Sequence, residues 1–106
     1  MMKIIVTIVD YKDVDKVMTA LTRQHISVTH VSSTGGLFGD GNSTLLIGVD
    51  EERVPEAMKV IADLASPRQS FIPYTYQGDP NLTGIAEVQV GGFLSFVLDV
   101  DHFEQV

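Results

Sequence analysis

Lys3-Ile4-Ile5-Val6-Thr7-Ile8-Val9-Asp10 decides the fold of this chain, because the period of the sequence changes directly after it. A run this dense in Ile and Val, closed by an aspartate, reads as a β-strand over residues 3–9. Ile4, Val6 and Ile8 share one face and Ile5 and Val9 the other, so this strand needs cover on both sides. Val14, Val17, Met18 and Leu21 then recur at helical spacing, which predicts an amphipathic helix over about 12–25. Asp10 or Asp13 suits the first turn of that helix, where the unpaired amides carry partial positive charge.

Working outward, Ile26–Thr34 alternates and predicts a second strand. It ends in a glycine-rich segment, residues 35–42, whose Asp40-Gly41-Asn42 cluster is a turn signal, and a third strand restarts at Ser43–Val49. Val54, Ala57, Met58, Ile61 and Leu64 carry a second helix over about 51–65, with Asp50 as its cap. Pro55 lacks an amide proton and clashes with a preceding turn, so the regular helix is expected to start near Val54. Residues 66–85, broken by Pro67, Pro73, Gly78, Pro80 and Gly84, read as a long connection, with room for a short strand near 70–73. One long strand, about 86–100, closes the chain, with Gly91-Gly92 inside it as a bulge or a close approach. The order β-α-β-β-α-β predicts an α+β domain over residues 1–106, with both helices on one face of an antiparallel sheet.

Composition narrows the function. The chain has 106 residues, a net charge of −7 and no cysteine. Such acidity is unsuited to general nucleic-acid binding or to an anionic membrane surface, both of which recruit Lys and Arg. Absence of cysteine removes disulfides, thiolate zinc sites and cysteine nucleophiles. No apolar stretch is long enough to span a bilayer, and the N-terminus lacks a secretory signal, so a cytoplasmic protein is expected. The sheet face away from the helices would expose either Ile5 and Val9 or Phe93 and Val97 in a monomer, and an apolar patch of that size predicts an oligomer or a cover from the 66–85 loop.

No catalytic set emerges, and the chain is read as a non-enzyme. His25, His30 and His102 lack the spacing of a zinc helix, and no Gly-x-Ser-x-Gly elbow is present. The segment Ser32–Thr44 places four glycines within seven residues among hydroxyl side chains and an Asn. Glycine lets backbone amides approach and cradle a phosphate, yet a flexible hairpin loop accounts for the same pattern.

Thr34-Gly35-Gly36 followed by two large apolar residues, then Gly41-Asn42-Ser43-Thr44 and Gly48-Val49, resembles the PII-like cyclic di-AMP receptor proteins. So do Val88-Gln89-Val90-Gly91-Gly92, Phe96-Val97-Leu98 and the ending Phe103-Glu104-Gln105-Val106. The resemblance covers nearly the whole chain. It implies a ferredoxin-like homotrimer, with cyclic di-AMP or a related adenine nucleotide held in clefts between subunits. It also implies signal transduction to an unidentified protein partner, and neither an additional cofactor nor a metal. Carried over by position, the contacts it implies are Thr29, Gly36, Leu37, Phe38, Asn42, Gly48, Phe96 and Gln105. These suit an adenine: hydroxyl and amide groups read its edge, Phe38 and Phe96 offer stacking surface, and glycine amides meet phosphate. The chain departs from the family pattern at His25, often Asn, at Ser27, often Arg, at Leu37-Phe38, often Phe-Leu, and at Gly39, often basic. The alternatives are a metal-handling trimer resembling the divalent-cation-tolerance proteins and a family member that does not bind cyclic di-AMP.

Overall fold

A computed structural model describes residues 1–31, 41–75 and 83–106. The first strand, β1 (Met2–Asp10), runs at the centre of a four-stranded sheet. At its end the Asp10 carboxylate accepts from the Lys12 amide at 2.9 Å and turns the chain into a 3-10 turn, Tyr11–Asp13. Helix α1 (Val14–Arg23) follows and buries Val14, Val17 and Leu21, the apolar stripe read from the sequence. It stops in a Schellman arrangement, in which Ile26 donates to the Leu21 carbonyl and His25 to that of Thr22, each at 3.0 Å. His25 occupies the left-handed position this closure demands, at φ +60°. Arg53 reinforces the same end by donating to the Gln24 carbonyl at 2.7 Å.

Strand β2 (Ser27–Val31) lies at one edge of the sheet and pairs with β3 (Asn42–Asp50). A second 3-10 turn, Glu51–Arg53, leads into α2 (Val54–Ala65), with Pro55 confined to the first turn as its missing amide proton requires. The main sheet is completed by the last strand, residues Phe93–Asp99, and its order β2, β3, β1, last strand is the antiparallel ferredoxin-like arrangement. Ile5 and Val9 from β1, Leu45, Ile47 and Val49 from β3, and Val17, Leu21 and Ile61 from the helices form one buried core. Burying each such side chain contributes about 1.5–3 kcal/mol.

Two expectations need correction. The connection at 66–85 is partly regular: β4 (Arg68–Thr75) and β5 (Thr83–Val90) form a separate two-stranded antiparallel sheet, here called the arm. The single strand expected over 86–100 is therefore two, β5 and β6 (Phe93–Asp99), in different sheets. The cause is Gly91-Gly92, whose φ values of +82° and +91° turn the chain where an L side chain resists doing so. Gly92 also donates to the Ala65 carbonyl at the end of α2, at 2.6 Å. The loop expected at 35–42 lies outside the described residues except for Gly41 and Asn42, and Asn42 already belongs to β3.

Pairing settles which face is covered. Ile5 stands opposite Ile47 and Val97, and Thr7 opposite Leu45 and Ser95. A 2.9 Å hydrogen bond between the hydroxyls of Thr7 and Ser95 places these on one face, the one beneath the helices. The face that no helix covers among the described residues carries the other parity, Ile4, Val6, Ile8, Leu46, Leu94, Phe96 and Leu98, and neither of the expected pairs: Phe93 stands opposite Val9 and Val97 opposite Ile5, so both pairs share the helix side.

Candidate functional site

The register draws three rows across the uncovered face. Ser27, Gly48, Ile4 and Leu98 form one, Thr29, Leu46, Val6 and Phe96 the next, and Val31, Thr44, Ile8 and Leu94 the third. Asn42 has the parity of Thr44 and Gly48, so it belongs to this face as well, at the far end of β3. Four of the residues implied by resemblance, Thr29, Asn42, Gly48 and Phe96, thus lie on the face of the main sheet that no helix covers among the described residues. Gln105 is exposed in the segment after β6, and Gly36, Leu37 and Phe38 lie outside the described residues.

Within one chain these four do not converge. Thr29 and Phe96 stand on opposite edge strands, three strand spacings or about 14 Å apart. Asn42 and Gly48 are six residues apart along β3, about 20 Å. The uncovered face is strongly apolar between them: Leu94 is 45%, Phe96 48%, Leu98 51% and Val31 41% exposed. A contiguous patch of that character marks an interaction surface.

At the β2 edge an open depression of about 620 Å³ is lined by Thr22, His25, Ile26, Ser27, Val28 and Thr29. Its size falls within the range of small-molecule sites. Of the contacts implied by resemblance only Thr29 lines it; Ser27 entered the sequence reading as a departure from the family pattern, and Thr22 was not among the contacts it named. The structure adds that Ser27 pairs with Gly48 across β2 and β3, a register the sequence does not fix because a long connection separates the two strands. Gly48 has an ordinary backbone, and a Cβ added there would meet nothing within 4 Å, so the strand itself does not require glycine. A bare backbone at a position open to solvent on an interaction face suits close approach by another molecule.

Charge is sparse on this face. Lys3 is held by Asp99 at the covered parity, and the Asp99 hydrogen bond raises its pKa. Arg53 is committed to Glu56 at 3.0 Å. Among the described residues no three His, Asp or Glu side chains come together in a way that would hold a metal ion, and His102 is paired only with Glu104, at 3.4 Å.

One polar cluster lies off this face. The Asp13 carboxylate is fully buried at the start of α1 and accepts from Arg68 at 2.7 and 3.3 Å and from Lys16 at 3.0 Å. Burial works to raise its pKa, but the Arg68 and Lys16 contacts together outweigh burial and hold it below the ordinary aspartate value. Sequence reading took Asp13 for a helix-start residue; its partner lies 55 positions away, beyond the reach of any local signal.

Comparison with known proteins gives a consistent result. The family model for the cyclic-di-AMP receptor matches residues 2–106. The crystal structure of a functionally unknown protein from Pediococcus pentosaceus ATCC 25745 is similar at 35% sequence identity, over 99% of this chain and 97% of that one, with a TM-score of 0.80.

Proposed function

The chain belongs to the cyclic-di-AMP receptor family, and from that premise we propose that it is a PII-like signalling receptor whose trimer holds cyclic di-AMP between subunits. The observation that carries the intersubunit reading is the spread of Thr29, Asn42, Gly48 and Phe96 over one uncovered apolar face. Side chains about 14 Å apart on opposite edges of one sheet are brought to a common crevice when the β6 edge of one copy approaches the β2 edge of the next. Three copies related by a closed rotation bury the apolar rows and leave three equivalent crevices at the β2 depression. There the Thr29 hydroxyl reads an adenine edge, Phe96 of a neighbouring copy stacks on the ring, and the bare backbone at Gly48 lets the sugar-phosphate approach. Gly36, Leu37, Phe38 and Gln105 complete the proposed contact set.

The role is binding rather than catalysis, with the ligand the only small molecule required. Ligand capture alters the surface offered to a protein partner, and the acidic charge argues against nucleic acid as that partner. Among the described residues no helix is long and apolar enough to cross a membrane. A cytoplasmic setting, where cyclic di-AMP is met directly, fits a chain without cysteine.

Light scattering and calorimetry with cyclic di-AMP, ATP and ADP test the proposal. The expected results are the mass of three chains and a saturable heat for cyclic di-AMP. Gly48→Ala, which the isolated strand accommodates, is expected to keep the circular-dichroism spectrum and weaken that heat. A single-chain mass at working concentration, or no heat at high micromolar cyclic di-AMP, overturns the reading.

A further inference from the structure

The Asp10–Asp13 segment touches two places that are remote in sequence. On one side Asp10 pairs with Asn42, Tyr11 donates its amide to the Gly41 carbonyl at 2.8 Å, and the Tyr11 ring lies over Gly41, 3.7 Å from where a Cβ would project. On the other side the buried Asp13 carboxylate grips Arg68, the first residue of β4, and the Asp10 carboxylate reaches the Gly91 amide, just past β5, at 3.5 Å. Both roots of the arm and the first residues of β3 are therefore tied to one four-residue turn.

We propose that the Asp10–Asp13 turn mechanically couples the start of β3 to the β4–β5 arm, so that a displacement at Gly41–Asn42 is passed to the arm. This rests on the reading of Asn42 as a ligand contact for its signalling meaning, though not for the coupling itself. The turn is short and held at both ends, and Asp13 is fully buried, so it has little freedom to absorb a movement locally. The arm is a two-stranded sheet outside the main one, an element that opens at low free-energy cost and follows its root. Coupling between two sites is reciprocal: a disturbance at either end must register at the other.

Hydrogen exchange on the intact protein reads both directions. Without ligand, Arg68→Met is expected to speed exchange at residues 41–44 by about fivefold, and Tyr11→Ala to speed it at 68–70 and 88–90 by a similar factor. In both variants α2 is expected to keep wild-type exchange, which shows that the fold survives. With cyclic di-AMP, Arg68→Met is expected to bind about fivefold more weakly than the wild type, the reciprocal of the lost coupling, and its arm no longer changes exchange on binding. Effects confined to the mutated end overturn the coupling. An absence of cyclic di-AMP heat in the wild type instead overturns the receptor reading, and the ligand-free exchange then still decides the coupling.

Discussion

Replacing Gly91 by alanine should cost far more than replacing its neighbour Gly92. Both glycines hold positive φ, +82° and +91°, and an L side chain there costs about 1–2 kcal/mol in each case. Their surroundings differ. A Cβ on Gly91 would sit 2.6 Å from the Ser66 backbone oxygen, 2.7 Å from Arg68 Nη1 and 3.4 Å from the Ala65 oxygen. The guanidinium can swing aside, but the Ser66 carbonyl moves only with the end of α2. A Cβ on Gly92 meets Pro67 Cγ at 3.7 Å, an ordinary contact. Overpacking against backbone adds about 1–3 kcal/mol, so Gly91→Ala is expected to lose about 2–5 kcal/mol in total and Gly92→Ala about 1–2. With a urea slope of about 2 kcal/mol/M, the unfolding midpoints fall by about 1–2.5 M and 0.5–1 M respectively. Far-UV circular dichroism at fixed chain concentration measures both, since association would otherwise shift the midpoint. If the strain is relieved by the arm detaching, the midpoint loss shrinks and fast exchange appears in β4 and β5 for Gly91→Ala alone. Equal costs and equal exchange in the two variants would refute the steric reasoning.

Three further outcomes are expected. Ser27→Arg places a guanidinium in the β2 depression beside Gly48, and a charge-assisted hydrogen bond of about 1.5–3 kcal/mol should tighten cyclic di-AMP binding at least tenfold by calorimetry. Asp13, with its pKa held below the usual value, contributes stability that is fully present above the unfolded pKa near 3.8 and is lost as pH falls through the folded value; urea midpoints should therefore decline less steeply below pH 4 in Asp13→Asn than in the wild type. His25→Asn relieves a left-handed residue at the end of α1, and the thermal midpoint should rise by an amount equivalent to about 0.5–1 kcal/mol.

The strand and helix periods of residues 3–25 were legible because each buries a face whose spacing is set by its own backbone geometry. Which face of β1 meets the helices was not, since Ile4-Val6-Ile8 and Ile5-Val9 are equally apolar and only the packing of α1 and α2 chooses between them. The arm was read as a connection because Pro73 and Gly84 look like breakers, although a two-stranded sheet with open edges tolerates both. Gly91-Gly92 was noticed inside a strand, but its left-handed backbone divides two sheets rather than bulging one. The candidate site residues came from glycine placement and resemblance, not from any periodicity. Parity then joined Thr29, Asn42, Gly48 and Phe96, which no linear spacing does.

Because the arm is two strands wide among the described residues, β4 and β5 each leave one row of backbone N–H and C=O groups without a neighbouring strand there. Such rows invite foreign chains to add on and grow into fibrils. Pro73 in β4, opposite Ile85, has no N–H to donate, and a proline in an edge strand is one of the devices that blunt such addition. The same proline that disguises the arm in the sequence therefore acts against its aggregation.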